Sequence, residues 1–466
     1  MKPELMTHSD KNREHFYINR MSAYAANALS DTLPDHVAEK AKYHILDTFC
    51  AMITGARLTV GEMALSYSKT LSQSADKAAG IVASDSFLHP ADAALVNGIM
   101  AHANETDDSH PAAIGHPGCA IVPAALAAAE ANASSGSDFL KAVVLGYDYY
   151  ARMNIALGSN HIYARGHGPY SIGGAWGAAA AAGALYKIDA ERMAYVFSNV
   201  AHQTGGIAVW MRDKDHMEKA FHFAGLPARN GVSAAAMIAH GFSGTDDVIE
   251  GRGNFMDAYS DNPDRDILIG ELGTRFEVML TNIKKWCVGS PIQSALDSLE
   301  YLMENEGVHL GNIEKLTIEL PSHVVDVVED RGVPDINCKH CLALMLVDGR
   351  FGFHASHDYA RLQDPAILAM KNKMSLLPSA ELADALPIRQ AIVTAVLSDG
   401  RIVSRRTYAV KGVVENPMDR NDVIRKAQDL LSPLLKQETD KFIETVLNIE
   451  TLSNIRALRT VLQKQD

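Results

Sequence analysis

Gly173-Gly-Ala-Trp-Gly-Ala-Ala-Ala-Ala-Ala-Gly-Ala-Leu185 is Gly and Ala throughout, save Trp176 and Leu185. It is the longest weakly polar stretch of the chain, well short of the roughly 20 apolar residues of a membrane span. It reads as a helix whose small side chains let neighbouring helices approach closely. The same texture extends outward. Val37–Gly55 carries apolar residues at helical spacing (Val37, Ala41, Ile45, Phe49, Met52). Residues 93–103, 120–131, 138–153, 190–200 and 228–241 continue it. The spacing predicts an all-helical globule with buried central helices over residues 1–275.

The texture changes near Thr274. Ile313–Leu320 alternates with period 2 and is expected as a strand. Residues 391–397 and 401–410 flank Ser398-Asp399-Gly400, a hairpin turn signal. Helical patterns lie between, over 291–306 and 339–347. Residues 276–413 are therefore expected as an α+β domain. After Asn416-Pro417 the pattern is helical again, so 414–466 are expected to complete the first domain. The fold class is mainly α, with a large all-helical domain and a smaller α+β domain.

Hydrophobic residues make up 47% of the 466 and charged residues 21%, and the net charge is −13. An acidic surface argues against nucleic acid or an anionic membrane as partner. An anionic metabolite stays open, because a few local cations can make one pocket positive. Five scattered cysteines suit a reducing cytosol better than a disulfide framework. The polar stretch Met1–Arg20 has no signal-peptide core, so the expected location is cytoplasmic.

Four polar constellations interrupt this apolar background. Glu105–Gly118 gathers Glu105, Asp107, Asp108, Ser109, His110 and His116 around Gly and Pro. Helix capping would explain the acids but not two histidines so close together. In the second, His167 stands between two glycines before the Ala-rich helix. A ligand approaching that helix start or a solvent-exposed His both fit. In the third, Lys219 and His222 are three apart and share a face if helical. They fit a substrate-carboxylate clamp or a solvated charged face. The fourth, Lys284-Lys285-Trp286 before Gly289-Ser290-Pro291, reads as a carboxylate site or a domain-junction turn. Cys338-Lys-His-Cys341 is one pair, too few for a tetrahedral zinc site, and reads as buried helix. No His spacing suggests a metal site.

Together these segments resemble the MmgE/PrpD family, whose members include 2-methylcitrate dehydratase, cis-aconitate decarboxylase and iminodisuccinate epimerase. The resemblance runs over nearly the whole chain. It is carried by Asp107-Asp108-Ser109-His110 with Gly115-His116-Pro117, Gly166-His167, and Lys219-Ala-Phe-His222. Further markers are Lys284-Lys285-Trp286, Leu346-Val-Asp-Gly349 and Asn416-Pro-Met418. It implies a lid formed by the α+β domain, a homodimer, no metal or organic cofactor, and an active site in the cleft between the domains. It also implies substrate contacts at Glu105, Ser109, His116, His167 and Lys219, and at Lys284 or Lys285. The family's lid histidine has no counterpart here, where Gly289 or Ser290 stands, and its lid tyrosine corresponds to His340.

The expected activity is a cofactor-independent hydro-lyase acting on a small di- or tricarboxylate by proton abstraction α to a carboxylate. His116 and His167 are the acid–base candidates and His340 a lid acid. Lys219 with Lys284 or Lys285 would hold the carboxylates and the developing enediolate charge. Ser109, Glu105 and His222 would contact substrate. An epimerase or isomerase, then a decarboxylase, are the enzymatic alternatives. A helical binding protein is the non-enzymatic one, disfavoured by the clustering of His and Lys at Gly/Pro breaks.

Overall fold

The computed structural model describes residues 15–72 and 79–463. Most of the stretch Met1–Arg20 read above, residues 1–14, lies outside them. Two compact units divide the chain. The first holds residues up to Ala103, Asp107–Thr281 and Val423 onward; the second holds Asn104–Thr106 and Asn282–Asp422. The described chain is mainly helical, with one two-stranded and one four-stranded sheet. No described helix is long and apolar enough to cross a membrane.

In the first unit the Ala/Gly stretch becomes the helix Pro169–Leu185, buried along its whole length. It packs against the helices Gly136–Leu157 and Leu226–Ala239. A Cβ on Gly177 would overlap the carbonyl of Gly146, and one on Gly231 would meet the Ala178 side chain. Three helices therefore touch at backbone distance, which only small residues permit. Trp176 fills the remaining volume against Phe197 and Phe255. Proline opens Pro90–Ala101, Pro117–Ala131 and Pro169–Leu185, where its missing N–H costs nothing. Ser135 caps Gly136–Leu157 through the Asp138 N–H, and Gly158 ends it at φ +78°. The C-terminal segment is tied to this unit by a buried ion pair, Lys426 Nζ to Asp47 at 2.6 Å. Burial pushes the Asp47 carboxyl up to about 6, although Lys426 opposes the shift.

The second unit is built on strands ordered Met374–Ser379, Ile313–Pro321, Ala391–Leu397, Ile402–Thr407. The first pair is parallel and the others antiparallel. Ala391–Leu397 alternates buried and half-buried residues, and its inner face packs with Leu296, Leu299 and Leu302 of the helix Gln293–Asn305. The hairpin turns at Asp399-Gly400, with Gly400 at φ +85°. The strand expected to reach residue 410 stops at Thr407, where a turn closed by Asn416 takes over the backbone bonds. Met374–Ser379 was not expected from the sequence. It is a parallel edge strand carrying Pro378, a residue that weakens the strand pattern and is tolerated at an edge. All five cysteines are buried, and none forms a disulfide. Burial raises Cys338 to about 12, so the C-x-x-C pair stays as thiols in the helix Cys338–Asp348.

Candidate active site

The loop between Ala101 and Pro117 sorts its polar residues by what they touch. Asp108 is a buried hub. Its Oδ1 accepts the Gly118 N–H (2.9 Å) at the start of Pro117–Ala131, and its Oδ2 meets Tyr147 Oη (2.6 Å) and His44 Nδ1 (2.8 Å). Asp108 is thus the cap that the capping reading allowed. His110 is structural as well: its Nε2 faces Glu277 at 3.1 Å and its Nδ1 accepts the Ala113 N–H. The segment turns back on itself through paired backbone bonds between His110 and Gly115. Ile114 sits there at φ +47°, a strained value for a β-branched residue.

Asp107 and His116 stand differently. His116 Nδ1 donates to the Asp108 carbonyl at 2.6 Å and lies 3.5 Å from Asp107 Oδ2. The same Asp107 oxygen is 2.9 Å from Nδ1 of His102, a residue the sequence reading passed over. The His102 and His116 rings are 5.1 Å apart, and His216 lies 5.3 Å from His102. Burial lowers the His102 pKa, and the Lys219 charge adds to this against the pull of Asp107. Burial disfavours the Asp107 anion, yet His102 and His116 outweigh it and hold the carboxyl well below the usual range. Ser109 is buried, and its hydroxyl makes no hydrogen bond among the described residues.

Aromatic rings wall this cluster. Phe223 stacks on Tyr170 at 3.6 Å and on His102 at 4.8 Å, and Trp210 stands edge-on to both Phe223 and Tyr170. Lys219 Nζ lies 5.2 Å from the Phe223 ring centre and 5.6 Å from that of Trp210. Local backbone geometry sets these side chains. His216 precedes the short helix Met217–Ala220 at φ +67°, and Phe221–Gly225 forms a π-helical turn, a distortion frequent at functional sites. The Asp213 carboxylate accepts the Lys219 N–H at 2.9 Å.

His167 is half-buried and its ring tilts against Tyr259 at 5.2 Å. Its loop serves the site through the backbone: Gly168 bonds Gly206, and these two glycines close on the His222 ring so tightly that a Cβ on either would overlap it. Burial, with the nearby His102, takes His222 down to about 4, so it is held neutral.

In the second unit, Lys284 Nζ lies 3.0 Å from both Oε2 and the carbonyl of Glu105, all buried. The Glu105 N–H bonds Asp335, whose carboxylate is 3.4 Å from His357 Nε2. Neither Asp335 nor His357 was singled out from the sequence. Lys285 pairs with Asp297 (2.7 Å) and Glu300 (2.5 Å), so both adjacent lysines have carboxylate partners, Lys284 in the interior and Lys285 nearer the surface. His340 is fully buried with neither ring nitrogen bonded among the described residues, and burial lowers it to about 4.

His102, Asp107 and His116 bring donor atoms within 4.8 Å of one another, a grouping able to hold a metal ion. Both Nδ1 atoms face oxygen acceptors, however, a pattern suited to handling protons.

Two family models match the chain: the MmgE/PrpD N-terminal domain over residues 19–268 and the MmgE/PrpD C-terminal domain over residues 286–451. The chain is similar to cis-aconitate decarboxylase of Aspergillus terreus, 23% identical over 482 residues and 97% of each chain. It is 26% identical over 450 residues to the Homo sapiens cis-aconitate decarboxylase, covering 92% of this chain and 91% of that one. The Mus musculus cis-aconitate decarboxylase is 24% identical over 453 residues, or 92% and 90%.

Proposed function

The chain belongs to the MmgE/PrpD family, and from that premise we propose that it is a lyase acting on a small di- or tricarboxylate by proton transfer at a carbon next to a carboxylate. The observation that carries this reading is the buried group of His102, Asp107 and His116 beside Lys219. His116 Nδ1 keeps its proton on the Asp108 carbonyl, so Nε2 is the base. When it takes a substrate proton, the C–H bond breaks, an N–H bond forms, and the electron pair spreads into the adjacent carboxylate as an enediolate. Lys219 would stabilise that charge, and a positioned base of this kind contributes about 10²–10⁴-fold. His167, Ser109, His222, Glu105 and Lys284 complete the proposed set of substrate contacts. The chain's own imidazoles and lysines supply this chemistry, without an organic cofactor. A homodimer in a reducing cytoplasm belongs to the same reading.

Elimination of water was the first expectation from the sequence. The decarboxylases among the relatives make loss of CO₂ an equal contender, with cis-aconitate the first compound to test. Incubation with a panel of di- and tricarboxylic acids including cis-aconitate, followed by NMR in D₂O, separates the outcomes. CO₂ release identifies a decarboxylase, water loss or gain a dehydratase, and α-exchange alone an epimerase or isomerase. A panel neither bound nor altered would overturn the proposal.

A further inference from the structure

We propose that His102 is a positioning residue for the reaction, holding the Asp107 carboxylate beside His116 so that the imidazolium formed there is paired with a buried anion. This rests on the reading of His116 as the base.

Three observations place His102 behind His116. Its side chain is 0% exposed whereas that of His116 is 12% exposed, so an incoming molecule meets His116 first. One Asp107 oxygen serves both rings, at 2.9 Å from His102 Nδ1 and 3.5 Å from His116 Nδ1. The stacked Phe223 ring fixes the orientation of His102. Its Nε2 has no hydrogen-bond partner among the described residues. A neutral ring with its proton on Nδ1 satisfies the Asp107 contact and leaves no buried N–H unanswered. His102 thereby steadies the anion without adding a charge that would compete with the imidazolium. Asp107, His116, His216, Lys219 and His222 are the titratable groups around it in this unit.

The test exploits side-chain geometry. In His102→Asn the amide nitrogen replaces Nδ1 and keeps the bond to Asp107, whereas His102→Leu removes it. With cis-aconitate as probe, His102→Leu should lower kcat about 100-fold with KM within about threefold. The acidic limb of its rate–pH profile should move to lower pH, because an imidazolium without its aligned carboxylate releases its proton more readily. His102→Asn should stay within about fivefold of wild type. If His102→Leu does not fold, the isosteric Asp107→Asn should show the same pH shift. His102→Leu with wild-type kcat and pH limb, or a His102→Asn as impaired as it, overturns the inference. If His116→Gln were fully active, the reading of the base would fall instead. Should cis-aconitate not turn over, ¹⁵N NMR of the imidazoles decides: Nδ1 protonated and Nε2 bare on His102 is expected, and the opposite tautomer refutes the arrangement.

Discussion

His116 Nδ1 lies 2.6 Å from the carbonyl oxygen of Asp108, an acceptor that cannot donate. The bond fixes the proton on Nδ1 and leaves Nε2 as the basic nitrogen. The same residue uses its side chain to start the next helix and its main chain to set a tautomer.

Asp108→Ala should therefore be severe. It strands His44, Tyr147 and the Gly118 N–H in a fully buried site. The expected loss is about 3–5 kcal/mol of stability, against about 1–2 for Tyr147→Phe. Urea melts of the two variants check the order; equal losses would refute the hub.

Lys219→Met should lower kcat/KM by about 10²–10³-fold for any polycarboxylate turned over, with little change in melting temperature. Lys219→Arg should not restore it, because a planar guanidinium cannot replace a compact ammonium against Phe223 and Trp210. Wild-type turnover in Lys219→Met would exclude Lys219 from the site.

The two adjacent lysines should separate cleanly. Lys284→Ala leaves the Glu105 carboxylate buried without its 3.0 Å partner and should cost about 3–5 kcal/mol. Lys285→Ala loses a partly exposed ion pair and should cost about 0–1 kcal/mol. Thermal melts of both variants at neutral pH read the difference.

His340 gives a pH signature. Its folded value of about 4 lies below the ordinary 6.5, so the unfolded chain takes up the proton more readily. Its contribution is intact above about pH 6.5 and is lost as pH falls toward 4. His340→Leu should escape that loss, gaining about 1–3 kcal/mol on the wild type between pH 7 and 4.5. A stability difference that stays flat with pH would show that His340 is not held neutral.

Gly177→Ala tests the packing of the central helices. The added Cβ meets the Gly146 carbonyl, a rigid neighbour. The cost should be about 1–3 kcal/mol despite the better helix propensity of Ala. A stabilised variant would mean that the two helices can part at no cost.

Each of the seven helices that the sequence pattern marks up to residue 241 has a counterpart in the structure, because a long apolar period survives any change of environment. So do the strand at Ile313–Pro321 and the hairpin after it. The edge strand Met374–Ser379 was not legible, since its pairing is parallel and its partner lies some 60 residues away. The candidate site was legible only as segments. Gly and Pro breaks marked the loop with Glu105 and His116, because loops that carry polar residues between buried helices stand out in composition, and the spacing of Lys219 and His222 marked a shared helix face.

His102 was hidden for the opposite reason. It ends an apolar helix and looks like one more core residue, and only its 2.9 Å approach to Asp107 gives it a role. Asp107 and Asp108 are adjacent and chemically alike, yet one serves two imidazoles and the other caps a helix. Sequence by itself determined the helical scaffold, the α+β character of the second unit and the loops that hold the polar groups. Tertiary structure decided which oxygen meets which nitrogen, because that depends on side chains far apart in sequence, 64 residues for His44 and Asp108 and 179 for Glu105 and Lys284.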